Sequence, residues 1–118
     1  MSAHVEGART GSVSWDVVAS LYDALVRLTS SPVAFINHAL AIAESEGPHA
    51  GFAILEAAGA DRRMDSYQPY WAARANLLGR IGSYDAARHA YQLAIGLESD
   101  PAVRNYLRRC SDDLPKPG

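Results

Sequence analysis

Where two α-helices cross closely, a small residue must sit at the crossing with large ones on either side of it. Residues 70–101 carry that arrangement in two segments joined by Gly82-Ser83-Tyr84. The first places Trp71, Ala75 and Leu78 on one helical face; the second does the same with Ala87, Tyr91 and Ala94. A pair of helices this short cannot cover its own apolar face. The rest of the chain therefore has to supply helices that stack on it.

Stepping 36 positions toward the N-terminus meets the same order of sizes. Phe35 stands for Trp71, Ala39 for Ala75 and Ile42 for Leu78, while Gly51, Leu55 and Ala58 stand for Ala87, Tyr91 and Ala94. In an alanine-rich chain the small positions coincide cheaply, and the large ones carry the comparison. The chain reads as two successive helix pairs in one register, with Phe35 and Trp71 in equivalent surroundings.

The order from Trp71 to Ala94 resembles the tetratricopeptide repeat, W-x2-L-G-x2-Y…A-x3-F. Arg74 departs from it, standing where the pattern has Leu, and Pro101 comes late. The spacing of 36 also exceeds the roughly 34 residues of the standard repeat, so the pair is divergent. The resemblance implies an all-α fold: antiparallel helix pairs stacked as a short right-handed superhelix of about six helices.

Composition narrows the partners. A length of 118 residues suits one domain, and 48% hydrophobic with 20% charged residues suits a folded chain rather than a disordered one. The net charge of −2 lacks the basic excess of a nucleic-acid-binding surface, so no direct nucleic-acid contact is expected. The longest apolar run, Val33–Ala43, contains Asn37 and His38 and falls well short of the about 20 residues that span a bilayer. No membrane partner is expected, and the N-terminus carries no apolar core of signal-peptide type. Cys110 is alone, which excludes an intrachain disulfide and makes a reducing cytoplasm the expected location.

Residues 1–13 have no periodicity and read as a flexible lead-in, 14–111 as the helical domain, and 112–118 as a flexible tail that frays from Leu114. Ser14 caps a first helix with a wide apolar stripe; Ser30-Ser31-Pro32 ends it and opens the second, which runs to about Glu46. Gly47-Pro48 opens a third helix to about Ala58. Asp61–Ser66 reads as a polar loop between repeats. Helix four starts near Tyr67–Pro69 and ends at Ile81, and helix five follows Ser83 to Leu97. Asp100-Pro101 begins a sixth, whose narrow stripe of Val103, Tyr106, Leu107 and Cys110 suits a terminal cap.

Particular words recur along the chain: W-x5-LYDAL at Trp15–Leu25, SPV-x3-N-x-A at Ser31–Ala39 and EGPHAG at Glu46–Gly51. YxPYWAARANLLGRIG at Tyr67–Gly82 and DPAVRNYLRR at Asp100–Arg109 complete the set. In this order they resemble the C-terminal extension of a group of extracytoplasmic-function (ECF) RNA polymerase sigma factors. That extension is a tetratricopeptide-like domain behind the promoter-binding regions, and the similarity runs from about Ala3 to Arg109. The resemblance implies a non-catalytic interaction and regulatory domain forming the tail of a longer protein. It would modulate transcription initiation through sigma-factor core domains, RNA polymerase or another regulator. The alternative is a free-standing peptide-binding adaptor of the same fold. No cofactor is implied, and no oligomeric state.

Catalytic chemistry finds no foothold. His4, His38, His49 and His89 lack ligand spacing with Cys or carboxylates, and the serines at helix starts read as caps. Gly47–Gly51 and Gly79–Gly82 lack the Lys and the preceding strand of a phosphate loop. No metal and no enzymatic activity are expected. The candidate partner-binding residues are Asn37, Arg74, Asn76 and Arg80. The resemblance puts binding on the concave surface made by the first helix of each pair, here Val33, Ile36, Leu40, Ala72, Asn76 and Arg80, with Ala43 and Gly79 beside them. Asn37 and Asn76 match two Asn positions of the carboxylate clamp in chaperone-tail repeats, but neither repeat supplies the Lys to complete it. Arg74, at a normally apolar site, must find a partner or reach water. It either pairs with Asp23 or Glu44, holding the first helix to the repeats, or is offered to an acidic group of a partner.

Overall fold

A computed structural model of the chain describes residues 14–29 and 31–116. Among them are six α-helices, one 3-10 helix and no strand. The α-helices are α1 (Trp15–Thr29), α2 (Pro32–Glu46), α3 (Pro48–Ala58), α4 (Gln68–Ile81), α5 (Tyr84–Leu97) and α6 (Pro101–Asp112). None is long and apolar enough to cross a membrane.

Local chemistry sets most of the ends. Proline opens the first turn of α2, α3, α4 and α6, where its missing N–H costs nothing. The Asp100 carboxylate accepts from Ala102 N at 2.9 Å and caps α6. At the end of α4, Gly82 takes the left-handed conformation (φ 102°, ψ 7°), and Ser83 N donates to Leu78 O at 2.9 Å. This turn frees α5 to run back along α4.

The helices pack in adjacent pairs, α1 on α2, α2 on α3 and α4 on α5, while α3–α4, α5–α6 and α2–α4 contacts stack the pairs. The result is a small all-α helical-repeat fold. One core gathers Ile36, Leu55, Met64, Tyr70 and Leu77; a second gathers Leu78, Tyr91, Ile95 and Leu107 around the alanines of α4 and α5. Phe52 and Trp71 touch both. The 36-residue register is visible in burial. Ala39 and Ala75 are completely buried, Gly51 and Ala87 are buried, and so are Leu55 and Tyr91. Phe35 and Trp71 are each half-buried on the core edge, and Trp71 Nε1 donates to Asp65 O at 3.0 Å. A third occurrence lies 36 positions beyond α4: Leu107 and Ser111 are buried and Leu114 is half-buried. α6 thus repeats the burial positions of the first helices in the same register.

Two stretches differ from expectation. Residues 61–66 are not simply a polar loop: Arg62–Ser66 is a 3-10 helix that buries Met64 completely in the first core. Asp61 accepts from Arg63 N at 2.9 Å, and the Arg63 guanidinium clasps the same carboxylate at 2.6 Å. These bonds tighten the turn that drives Met64 inward, and the Arg63 side chain holds the Asp61 carboxyl below its usual pKa. At the other end, where fraying was expected from Leu114, that residue packs on the second core. Arg88 donates to Pro115 O at 2.8 and 3.2 Å. The lead-in 1–13, Ser30 and tail residues 117–118 lie outside the described residues.

Candidate functional site

A groove of about 410 Å³ crosses the first helices of the pairs. α2 contributes Ile36, Asn37 and Leu40, and α4 contributes Gln68, Pro69, Ala72, Ala73 and Asn76. Tyr91 from α5 and Tyr106, Leu107 and Cys110 from α6 close the far wall. The register explains the geometry. α2 and α4 lie side by side, α6 packs on α5 at the far end, and the small Ala72 and Ala73 keep the floor of the middle helix low.

The lining contains no Asp, Glu, Lys, Arg or His. Its polar groups are the carboxamides of Asn37, Gln68 and Asn76, two phenols and a thiol. A carboxamide both donates and accepts, which matches the N–H and C=O of an extended peptide backbone. The apolar remainder (Ile36, Leu40, Leu107) offers room for an uncharged side chain.

Burial pushes the Tyr91 phenol up to about 12, and the neighbouring Cys110 thiol and Tyr106 add to the shift. Tyr106 is raised too, chiefly through its hydrogen bond with the Cys110 thiol. The fold therefore favours protonated Tyr91. Between pH 10, the ordinary value, and about 12, the unfolded chain binds fewer protons than the folded one at this site, so stability falls as pH rises through that window. Tyr91→Phe should flatten the fall, read as the urea midpoint against pH, and leave the curve below pH 10 unchanged.

The four candidate residues separate. Asn37 and Asn76 come together in the groove; Arg74 and Arg80 do not line it. Arg74 reaches across to α3, where it pairs with Glu56. Its guanidinium lies 4.9 Å from the centre of the Phe52 ring, and Nη1 is 3.4 Å from the Tyr70 hydroxyl. The expected partners are engaged elsewhere, Asp23 with Arg27 at 2.6 Å and Glu44 with Arg80 at 3.0 Å. Arg74 points at the second helix of the preceding pair, whereas α1 packs on α2. The pair is also only partly buried, with Arg74 24% and Glu56 50% exposed. Arg74→Ala should cost about 1–2 kcal/mol, from the ion pair, the ring contact and the packed stem together. Thermal melting of this variant beside Glu56→Gln measures how much belongs to the pair alone.

The Arg80–Glu44 pair joins residues 36 apart, at equivalent positions of α4 and α2. Gly79, expected on the concave face, lies instead where an added methyl would meet the Leu114 δ-carbon at 3.0 Å, so the tail covers that end. Gln68, Tyr106 and Cys110 also line the groove and carry no signal in the two-pair register. Carrying the register one more period, from Trp71 to Leu107, is the signal that reaches α6. Among the described residues no three His, Cys, Asp or Glu side chains converge in a way that could hold a metal ion; His4 is outside them.

Fold and groove together define a helical-repeat scaffold with a concave, uncharged face. An uncharacterized protein of Rhizobium meliloti (strain 1021) is 35% identical to the chain over 111 residues, covering 94% of this chain and 26% of that protein. The chain thus spans about a quarter of the length of that relative. No family model and no solved structure matches.

Proposed function

We propose that this chain is a non-catalytic protein-interaction domain of the kind that ECF sigma factors carry at their C-terminus. In this reading the groove takes an extended, uncharged segment of protein, from the sigma core domains or from RNA polymerase, and so modulates initiation. The observation that supports it most is the convergence of Asn37, Gln68 and Asn76 in an apolar groove without a charged residue. Carboxamides aimed into such a groove suit a backbone that needs donors and acceptors in alternation. A match to one quarter of a longer protein is also what a domain joined to other domains gives.

The test is binding to purified sigma core domains and RNA polymerase by titration calorimetry. Asn37→Ala with Asn76→Ala should weaken that binding at least about tenfold, at roughly 1 kcal/mol per lost hydrogen bond. Absence of binding to either would move the reading to the free-standing adaptor. Binding that the double substitution leaves intact would remove the groove from it.

A further inference from the structure

The two ends of the stack present opposite surfaces. At the C-terminal end α6 exposes Arg108, Arg109 and Asp112, a polar face of the kind that closes a helical stack against water. At the N-terminal end α1 buries Ala19 and half-buries Tyr22 and Val26, and its polar residues Asp16, Ser20, Asp23 and Arg27 follow one flank. Away from both, Val17, Leu21, Ala24 and Leu28 recur at alternating spacings of four and three, the seam spacing of two coiled helices. All four are exposed, Val17 by 50%, Leu21 by 62% and Leu28 by 82%.

We propose that this seam is the interface of a two-fold symmetric homodimer in which α1 lies antiparallel on α1 of a second copy. The seam complements itself when reversed. Antiparallel pairing about its midpoint sets Leu21 over Ala24 of the other copy, large on small at the centre, and Val17 against Leu28 at each end. The same pairing brings Arg27 of one copy within two residues of Asp16 of the other at both ends, while Asp23, which Arg27 holds within its own helix, stands at the middle of that flank. Parallel pairing would instead set Leu21 on Leu21 and Ala24 on Ala24, large on large and small on small. The seam with Leu25 beside it presents on the order of 450 Å² per copy, within the range of a monomer's apolar patches and at the weak end of interfaces. Such a dimer dissociates on dilution. None of the seam residues lines the groove, so this inference stands apart from the proposed function.

Sedimentation equilibrium of the chain from micromolar to sub-millimolar concentration tests it. The mass should rise from 12.7 kDa toward twice that value. Leu21→Arg should hold the chain monomeric throughout, with unchanged helicity by circular dichroism because the site is exposed. Asp16→Arg should weaken dimerisation about tenfold, and adding Arg27→Asp should restore it to within about threefold. A wild-type chain that stays monomeric over the whole range overturns the proposal and assigns the seam to a different protein. A dimer indifferent to Leu21→Arg, or one that the paired charge exchange fails to restore, overturns it equally.

Discussion

Leu55→Ala should lower the unfolding free energy by about 3 kcal/mol, the middle of the range for emptying a fully buried leucine site. Leu55 is completely buried on α3, in the core that also holds Met64 and Leu77. Its neighbours come from α2, α3, α4 and the 3-10 helix, elements held apart by their own backbones, so the cavity cannot collapse freely. Small domains hold only about 5–15 kcal/mol in total, so the loss is a large fraction of it and corresponds to a melting shift of roughly 12 °C. Urea unfolding reads the difference directly. Leu28→Ala, at a site 82% exposed, is the control at low micromolar chain, where the α1 seam is unpaired, and should change stability by no more than about 0.5 kcal/mol. A Leu55→Ala loss under about 1 kcal/mol would mean that α3 does not sit in this core.

Gly51→Val should be comparably damaging for the opposite physical reason. A β-carbon at Gly51 would lie 2.6 Å from the Ala39 carbonyl oxygen and 2.6 Å from the Ala43 β-carbon. Both atoms belong to the α2 backbone or its first side-chain carbon, so no rotamer change relieves the clash and the two helices must separate. Overpacking of this kind costs about 1–3 kcal/mol, and valine recovers little helix propensity over glycine. Gly51→Ala gains about 1 kcal/mol in propensity and should come out milder, still destabilising. Gly96 on α5 gives the contrast, since a β-carbon there meets nothing within 4 Å. Gly96→Ala should therefore stabilise the protein by up to about 1 kcal/mol. Equal signs at the two sites would show that α2 and α3 do not cross at Gly51.

The helix ends were legible because their causes are local. Pro32, Pro48 and Pro101 stand in first turns, Asp100 caps the sixth helix, and Gly82 turns the chain between α4 and α5. The register was legible because small and large residues at a crossing are decided by contact, and Ala39, Ala75 and Ala87 are all completely buried. Met64 was not, since one apolar residue in Asp61–Ser66 makes no periodicity; only the Asp61–Arg63 clasp turns it inward. Nor was the partner of Arg74. Which carboxylate a long side chain meets depends on how the pairs stack, and that brings Glu56 within reach and leaves Glu44 to Arg80. Of the candidate site, the two asparagines came from the tetratricopeptide resemblance, and the groove brings both to its lining. The α6 wall did not, because a helix read as a terminal cap is not searched for a concave face. The stripe on α1 was visible, but its share left exposed was not: apolar spacing shows that a face must be covered and does not say by what.

Nuclear Overhauser contacts in solution give the most direct test of two helix pairs interlocking at one repeat distance. Gly51 α-protons should show strong contacts to the methyl group of Ala43, and the Ala87 methyl, 36 residues on from Gly51, should contact Ala75 in the second core. Absence of either set, or a contact pattern that places Phe35 and Trp71 in unlike surroundings, would contradict it.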